Sequence, residues 1–218
     1  HKMRKITVFA ALLAVAAAAV VTPGLLRANA EAAKPTDVWI VAGQSNAAGY
    51  SLTTQTVHGQ ADAAYKYADK LTADDGRNAT GYPQALYYGA TDVAASAALP
   101  TIALQQVQSG LGRNPNYIGP ELGMAHALSA RYTADAPAAI VKYAVGGTYL
   151  GDFGGAGRET QDAGNWASPT MTAKAQAAGT KLHANNGLLY TRLLTVTENG
   201  LAALRAKGYA PQVKGYIF

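Results

Sequence analysis

The chain of 218 residues contains no cysteine. That excludes thiol catalysis, thiolate metal ligation and a disulfide framework, so packed side chains have to hold the fold alone. Charge is scarce as well, at 14% of residues, while 49% are hydrophobic. The apolar share is too large for a disordered chain and suits one globular domain with a core. The four histidines, His1, His58, His126 and His183, stand far apart, so a zinc-binding HExxH helix is absent. The longest apolar run falls short of the ~20 residues that a membrane-spanning helix needs.

That run, Ile6 to Val21 (ITVFAALLAVAAAAVV), follows Met3, Arg4 and Lys5 and is broken by Pro23 and Gly24. Ala28-Asn29-Ala30 then offers small residues at a cleavage-site spacing. This is the plan of a secretory signal peptide over residues 1–30, with His1 and Lys2 as two extra leading residues, and it predicts a secreted or periplasmic protein. Four of the 18 basic residues (Lys2, Arg4, Lys5 and Arg27) precede the expected cut, and none of the 13 acidic ones does. That leaves 14 against 13, or +1. The pI of 9.3 therefore belongs to the export segment and marks no nucleic-acid surface. After signal removal no stable membrane span is expected.

The mature chain opens with a leader, residues 31–36, and a domain over 37–218. Asp37 to Ala42 reads as a strand buried on both faces. Residues 51–116, rich in Ala, Gly, Tyr, Asp and Thr, read as surface excursions with short helices over Ala61–Leu71 and Ile102–Val107. Pro120 and Glu121 open a helix whose Leu122, Ala125, Leu128 and Tyr132 share a face. Ala138 to Val145 (AAIVKYAV) is a second buried strand. A glycine-rich loop runs to about Pro169 and contains Asp152, Arg158, Glu159 and Trp166. Leu188 to Lys207 is an amphipathic helix capped by Gly208, and Val213 to Phe218 starts a third strand. The alternation predicts an α/β fold with a parallel sheet and right-handed crossovers. A domain seldom stops inside an apolar strand, so its C-terminal part is expected to be missing.

The stretch VWIVAGQSNAAGYS, Val38 to Ser51, breaks from an apolar run into small polar residues. Ligands in parallel α/β sheets sit beyond the carboxyl ends of strands, which is where Ser45 falls. Its hydroxyl reads either as a nucleophile awaiting a base or as a cap for the next helix. Gly146-Gly147-Thr148 ends the second strand at the same edge. It reads either as backbone donors for an oxyanion or as a tight turn.

Gly43-Gln44-Ser45-Asn46, then Gly119-Pro120-Glu121, then Gly146-Gly147-Thr148 resembles, in this order, the SGNH hydrolases of the sialic-acid-specific acetylesterase branch, carbohydrate esterase family six. The resemblance covers about Asp37 to Phe218. It implies a three-layer flavodoxin-like fold and an exported O-acetylesterase acting on carbohydrate without a cofactor. It makes Ser45 the nucleophile and assigns the oxyanion hole to the N–H groups of Ser45 and of Gly146 or Gly147. Gln44, Asn46, Glu121 and Thr148 would line or brace the site. The family's QGE block and its Asp and His partners are not in this sequence. They are expected past Phe218, so the complete gene product is predicted to be competent and residues 1–218 alone are not. His58, His126 and His183 match no family position. Acetylated xylan, sialic acid and other decorated glycans all fit.

Three other readings compete. A lipase-type GxSxG elbow fails on Ala47 and on the serine's place after the first strand. A non-catalytic carbohydrate-binding module or inactive remnant would use the same scaffold. A phosphate loop at Gly154–Arg158 lacks the Lys-Ser/Thr pair. Trp166 and Phe153 are candidates for stacking on a sugar, against ordinary packing. Arg158 could meet an anionic sugar or be simply solvated.

Overall fold

The computed structural model describes residues 32–52, 56–57, 60–61, 81–151 and 163–218. In chain order the strands are β1 (Lys34–Gly43), β2 (Ser51–Leu52), β3 (Thr56–Val57), β4 (Gln60–Ala61), β5 (Tyr82–Thr91), β6 (Gln105–Val107), β7 (Tyr117–Ile118), β8 (Ala138–Ala144) and β9 (Tyr209–Ile217). The helices are α1 (Ser45–Ala48), α2 (Pro120–Leu128), α3 (Pro169–Ala177) and α4 (Leu188–Ala206).

The three strands read from the sequence stand side by side in the order β8-β1-β9, all parallel. Numbered among themselves these three run 2-1-3, as at the centre of a flavodoxin-like sheet, with the parallel β5, which precedes β8 in the chain, added outside them. The full sheet is wider, β6-β5-β8-β1-β9, with β5 parallel to β8 and β6 antiparallel at the edge. Two expectations are corrected here. The segment 51–116 is not merely a surface excursion, because β5 lies inside the sheet. Gln105–Val107, expected to be helical, pairs with β5 as a strand. The expected helix from residue 61 onward lies outside the described residues, apart from Ala61, which ends β4. β1 begins at Lys34, within the segment 31–36, pairing there with Tyr209, and Thr36 is buried.

Side-chain parity along the strands builds two cores. Ala139, Val141 and Tyr143 of β8 join Val38, Ala42, Tyr88 and Ala90 on one face, covered by Leu189, Leu193, Val196 and Leu204 of α4. Ile140 joins Val41, Tyr82, Ala85 and Tyr87 on the other, covered by Leu122 and Ala125 of α2. Each fully buried aliphatic side chain contributes about 1.5–3 kcal/mol, so α4 is fixed chiefly by packing. Helix, sheet, helix gives three layers in the unit Ala32–Phe218.

Register aligns the strand ends that matter. Thr91 of β5 pairs with Ala144 of β8, which pairs with Gly43 of β1. Whatever follows these three residues therefore meets at one edge. Among the described residues no helix is long and apolar enough to cross a membrane. The signal-peptide reading of residues 1–30 lies outside the described residues.

Candidate active site

Ser45 is the first residue of the one-turn helix α1, just past β1, and is half-buried, with exposed Gln44 and Asn46 on either side. The cap position belongs to Gln44, and no side chain caps the helix. The turn is closed by the backbone, Ala48 N–H to Gln44 O at 2.8 Å and Gly49 N–H to Ser45 O at 2.9 Å. The hydroxyl of Ser45 is thus not spent on capping. The residues that follow Ser45 line a cleft of about 530 Å³: Asn46, Gly49 and Tyr50 on one side and Ile118, Gly119 and Gly123 on the other, among others, while Ser45 itself is not in its lining. The wall is tight: a Cβ on Gly49 would overlap the backbone of Gly119.

The three sequence blocks do come together, but with different jobs. Glu121 is fully buried and does not face the cleft as a free carboxylate. Its Oε1 accepts the Gly119 N–H at 3.0 Å, and its Oε2 takes Lys142 Nζ at 2.5 Å. Lys142 also donates to Leu111 O at 3.0 Å and Ala48 O at 3.3 Å. One buried ammonium therefore ties β8, α2, the 111 loop and the end of the Ser45 turn. Burial lowers the Lys142 pKa below its ordinary value, and the Glu121 carboxylate offsets part of that.

In the 146–148 loop the roles also separate. The Gly146 N–H is donated to Asp92 Oδ1 at 2.7 Å, which takes it out of the expected oxyanion donors. Gly147 sits at φ +69° with open space where a Cβ would be, so its N–H is the remaining candidate. Thr148 is buried; its Oγ1 donates to Val145 O at 2.7 Å and accepts Trp166 Nε1–H at 2.9 Å. Trp166 packs between Tyr143 and Phe218, each ring pair 5.7 Å apart, and is 4% exposed. Of its two readings, packing holds. Phe153, Asp152, Arg158, Glu159 and the Gly154–Arg158 stretch lie outside the described residues.

Four residues were missed in the sequence: Tyr50, Asp92, Arg113 and Lys142. Asp92 follows β5 and accepts from Tyr50 Oη at 2.8 Å, with Arg113 Nε at 3.4 Å. The Arg113 guanidinium lies over the Tyr50 ring, 4.6 Å from its centre. Burial, then the hydrogen bond to the Asp92 carboxylate, raises the Tyr50 phenol pKa. Only Lys142 carried a sequence signal, a lysine inside the apolar run AAIVKYAV that burial obliges to find a partner. His126 is exposed on α2, and His183 Nδ1 accepts the Asn185 N–H at 3.2 Å. His58 lies outside the described residues. Among the described residues no three His, Asp or Glu side chains gather as metal ligands.

Comparison with known proteins adds three findings. The family described as carbohydrate esterase, sialic acid-specific acetylesterase matches residues 35–192. No curated protein matches the chain. A protein from Arabidopsis thaliana of known X-ray structure is similar at 17% identity and a TM-score of 0.42. The similarity covers 84% of this chain and 56% of that one, so this chain spans little more than half its length.

Proposed function

The chain belongs to the carbohydrate esterase family of sialic acid-specific acetylesterases, and on that premise we propose that Ser45 is the nucleophile of an exported enzyme that removes O-acetyl groups from carbohydrate. One observation carries the reading. A half-buried serine, with no capping duty, stands at the carboxyl edge of a central parallel strand, and the next residue, Asn46, lines a cleft.

The chemistry follows from that placement. A base takes the Ser45 proton, Oγ attacks the acetyl carbonyl, and a tetrahedral intermediate forms. Its oxyanion is met by the N–H groups of Ser45 and Gly147, since the Gly146 N–H is held by Asp92. Collapse expels the sugar oxygen, which leaves protonated, and water then hydrolyses the acetyl-serine. Glu121 and Lys142 act from below by fixing Gly119 and Ala48. Asn46 lines the cleft. Neither His126, exposed on α2, nor His183, turned to its own loop, is assigned as the base. The test is acetate release from acetylated xylan and acetylated sialosides by the complete gene product and by its Ser45→Ala variant. Loss of about 10³-fold or more in kcat is expected. Equal turnover by both proteins would defeat the assignment.

A further inference from the structure

Asp92 is the one described residue other than glycine with a left-handed backbone, at φ +53°. Such a conformation is unfavourable for a residue with a Cβ and persists only where its surroundings impose it. The surroundings here are specific. The Asp92 N–H donates to Ala144 O at 2.9 Å, and its Oδ1 accepts the Gly146 N–H at 2.7 Å. One residue thus clips the chain on both sides of Val145, where β8 gives way to the glycine loop. Its Oδ2 accepts the Tyr50 hydroxyl at 2.8 Å, and Tyr50 stands just beyond the Ser45 turn. A Cβ on Gly146 would overlap the Tyr50 hydroxyl oxygen, so glycine at this point lets the phenol reach the carboxylate. Arg113, over the Tyr50 ring and 3.4 Å from Asp92 Oδ2, closes the group from outside.

We propose that Asp92 is a positioning residue: through Gly146 and Tyr50 its carboxylate fixes the glycine loop against the Ser45 turn, so that the Gly147 N–H points at the developing oxyanion. The inference rests on Ser45 being the nucleophile. It differs from that reading in assigning a strained residue just past β5, a strand in none of the three motif blocks, to transition-state geometry. Misplacement of a reacting group by about 1 Å costs on the order of 100-fold in rate.

The test uses the complete gene product and three variants: Ser45→Ala, Asp92→Gly and Asp92→Asn. Glycine relieves the backbone strain while deleting the carboxylate and its two hydrogen bonds, so a merely structural role predicts a shifted Tm with normal turnover. Asparagine keeps an acceptor for Gly146 and a donor for Tyr50. The expected result is a fall of about 30- to 100-fold in kcat for Asp92→Gly, with KM within about twofold. Asp92→Asn should recover most of that loss. Rates are read well below each variant's unfolding temperature. Ser45→Ala inactive with Asp92→Gly at wild-type kcat would overturn the proposal alone. A loss that asparagine does not restore, or one confined to KM, would overturn it as well. An active Ser45→Ala would instead remove the reading on which it stands.

Discussion

Replacing Lys142 by methionine should expose how much of the site hangs on one buried charge. The Lys142 and Glu121 side chains are 0% and 1% exposed and 2.5 Å apart. Removing one partner of such a pair leaves the other charged and buried, at a cost of about 3–5 kcal/mol. Against a typical stability of about 5–15 kcal/mol this is a large fraction. Glu121→Gln should cost a similar amount, because Lys142 keeps its charge with only Leu111 O, Ala48 O and a neutral amide near it. The double variant carries neither charge, so it should be destabilised by about 2–3 kcal/mol less than the sum of the singles, at the upper end of couplings between touching residues. Urea unfolding followed by the fluorescence of Trp39 and Trp166 measures all three. Additivity within about 0.5 kcal/mol would refute the buried-pair reasoning. The sign with pH is also fixed. Because Lys142 gives up its proton more readily folded than unfolded, the unfolded chain binds more protons between the lowered pKa and the ordinary 10.5. Wild-type stability should therefore gain with pH across that window, and Lys142→Met should lack the gain.

Tyr143 gives the opposite slope. Burial pushes its phenol up to about 12, so from its ordinary 10.0 to that value the unfolded chain holds fewer protons and stability falls as pH rises. Tyr143→Phe should flatten its share of that fall while costing ~1 kcal/mol at neutral pH for the lost bond to Val93 O. Equal alkaline slopes in urea titrations of the two proteins would contradict it. Gly49→Ala and Gly147→Ala make a matched pair at positive φ. Both should lose about 1–2 kcal/mol from the backbone. Only Gly49→Ala should lose clearly more, because its Cβ meets the Gly119 backbone while that of Gly147 meets nothing. Similar Tm values for the two would show that the 49–119 contact is not tight.

The parts of the fold legible in the sequence are those with an unmixed pattern. β1 and β8 are near-continuous apolar runs, and α4 repeats leucine and valine on one face, so burial on both faces or on one stripe announces each. β5, YPQALYYGAT, hides because its buried positions are tyrosine, glutamine and alanine rather than aliphatics, with Pro83 and Gly89 inside it. Its aromatic density between Gly81 and Asp92 was the available signal. α3 buries no residue and so has no apolar period. Ser168 and Pro169 mark its start, with the Ser168 hydroxyl accepting the Met171 N–H. Short motifs found the edge of the site, since GQSN, GPE and GGT are contiguous blocks. They could not find Asp92 or its partners Tyr50 and Arg113. Those meet only because Thr91, Ala144 and Gly43 align across three strands, and register is not written in any one segment. For the same reason Gly146 looked like an oxyanion donor until its N–H proved to face a carboxylate.

The most direct measurement is to treat the complete gene product with a fluorophosphonate ester, which phosphonylates an activated serine irreversibly, and to locate the label by peptide mass spectrometry while following acetate release. Labelling of Ser45 in step with loss of activity, absent in Ser45→Ala, is the predicted result. Activity lost with the label on another residue, or activity that persists with Ser45 fully labelled, would contradict Ser45 as the nucleophile.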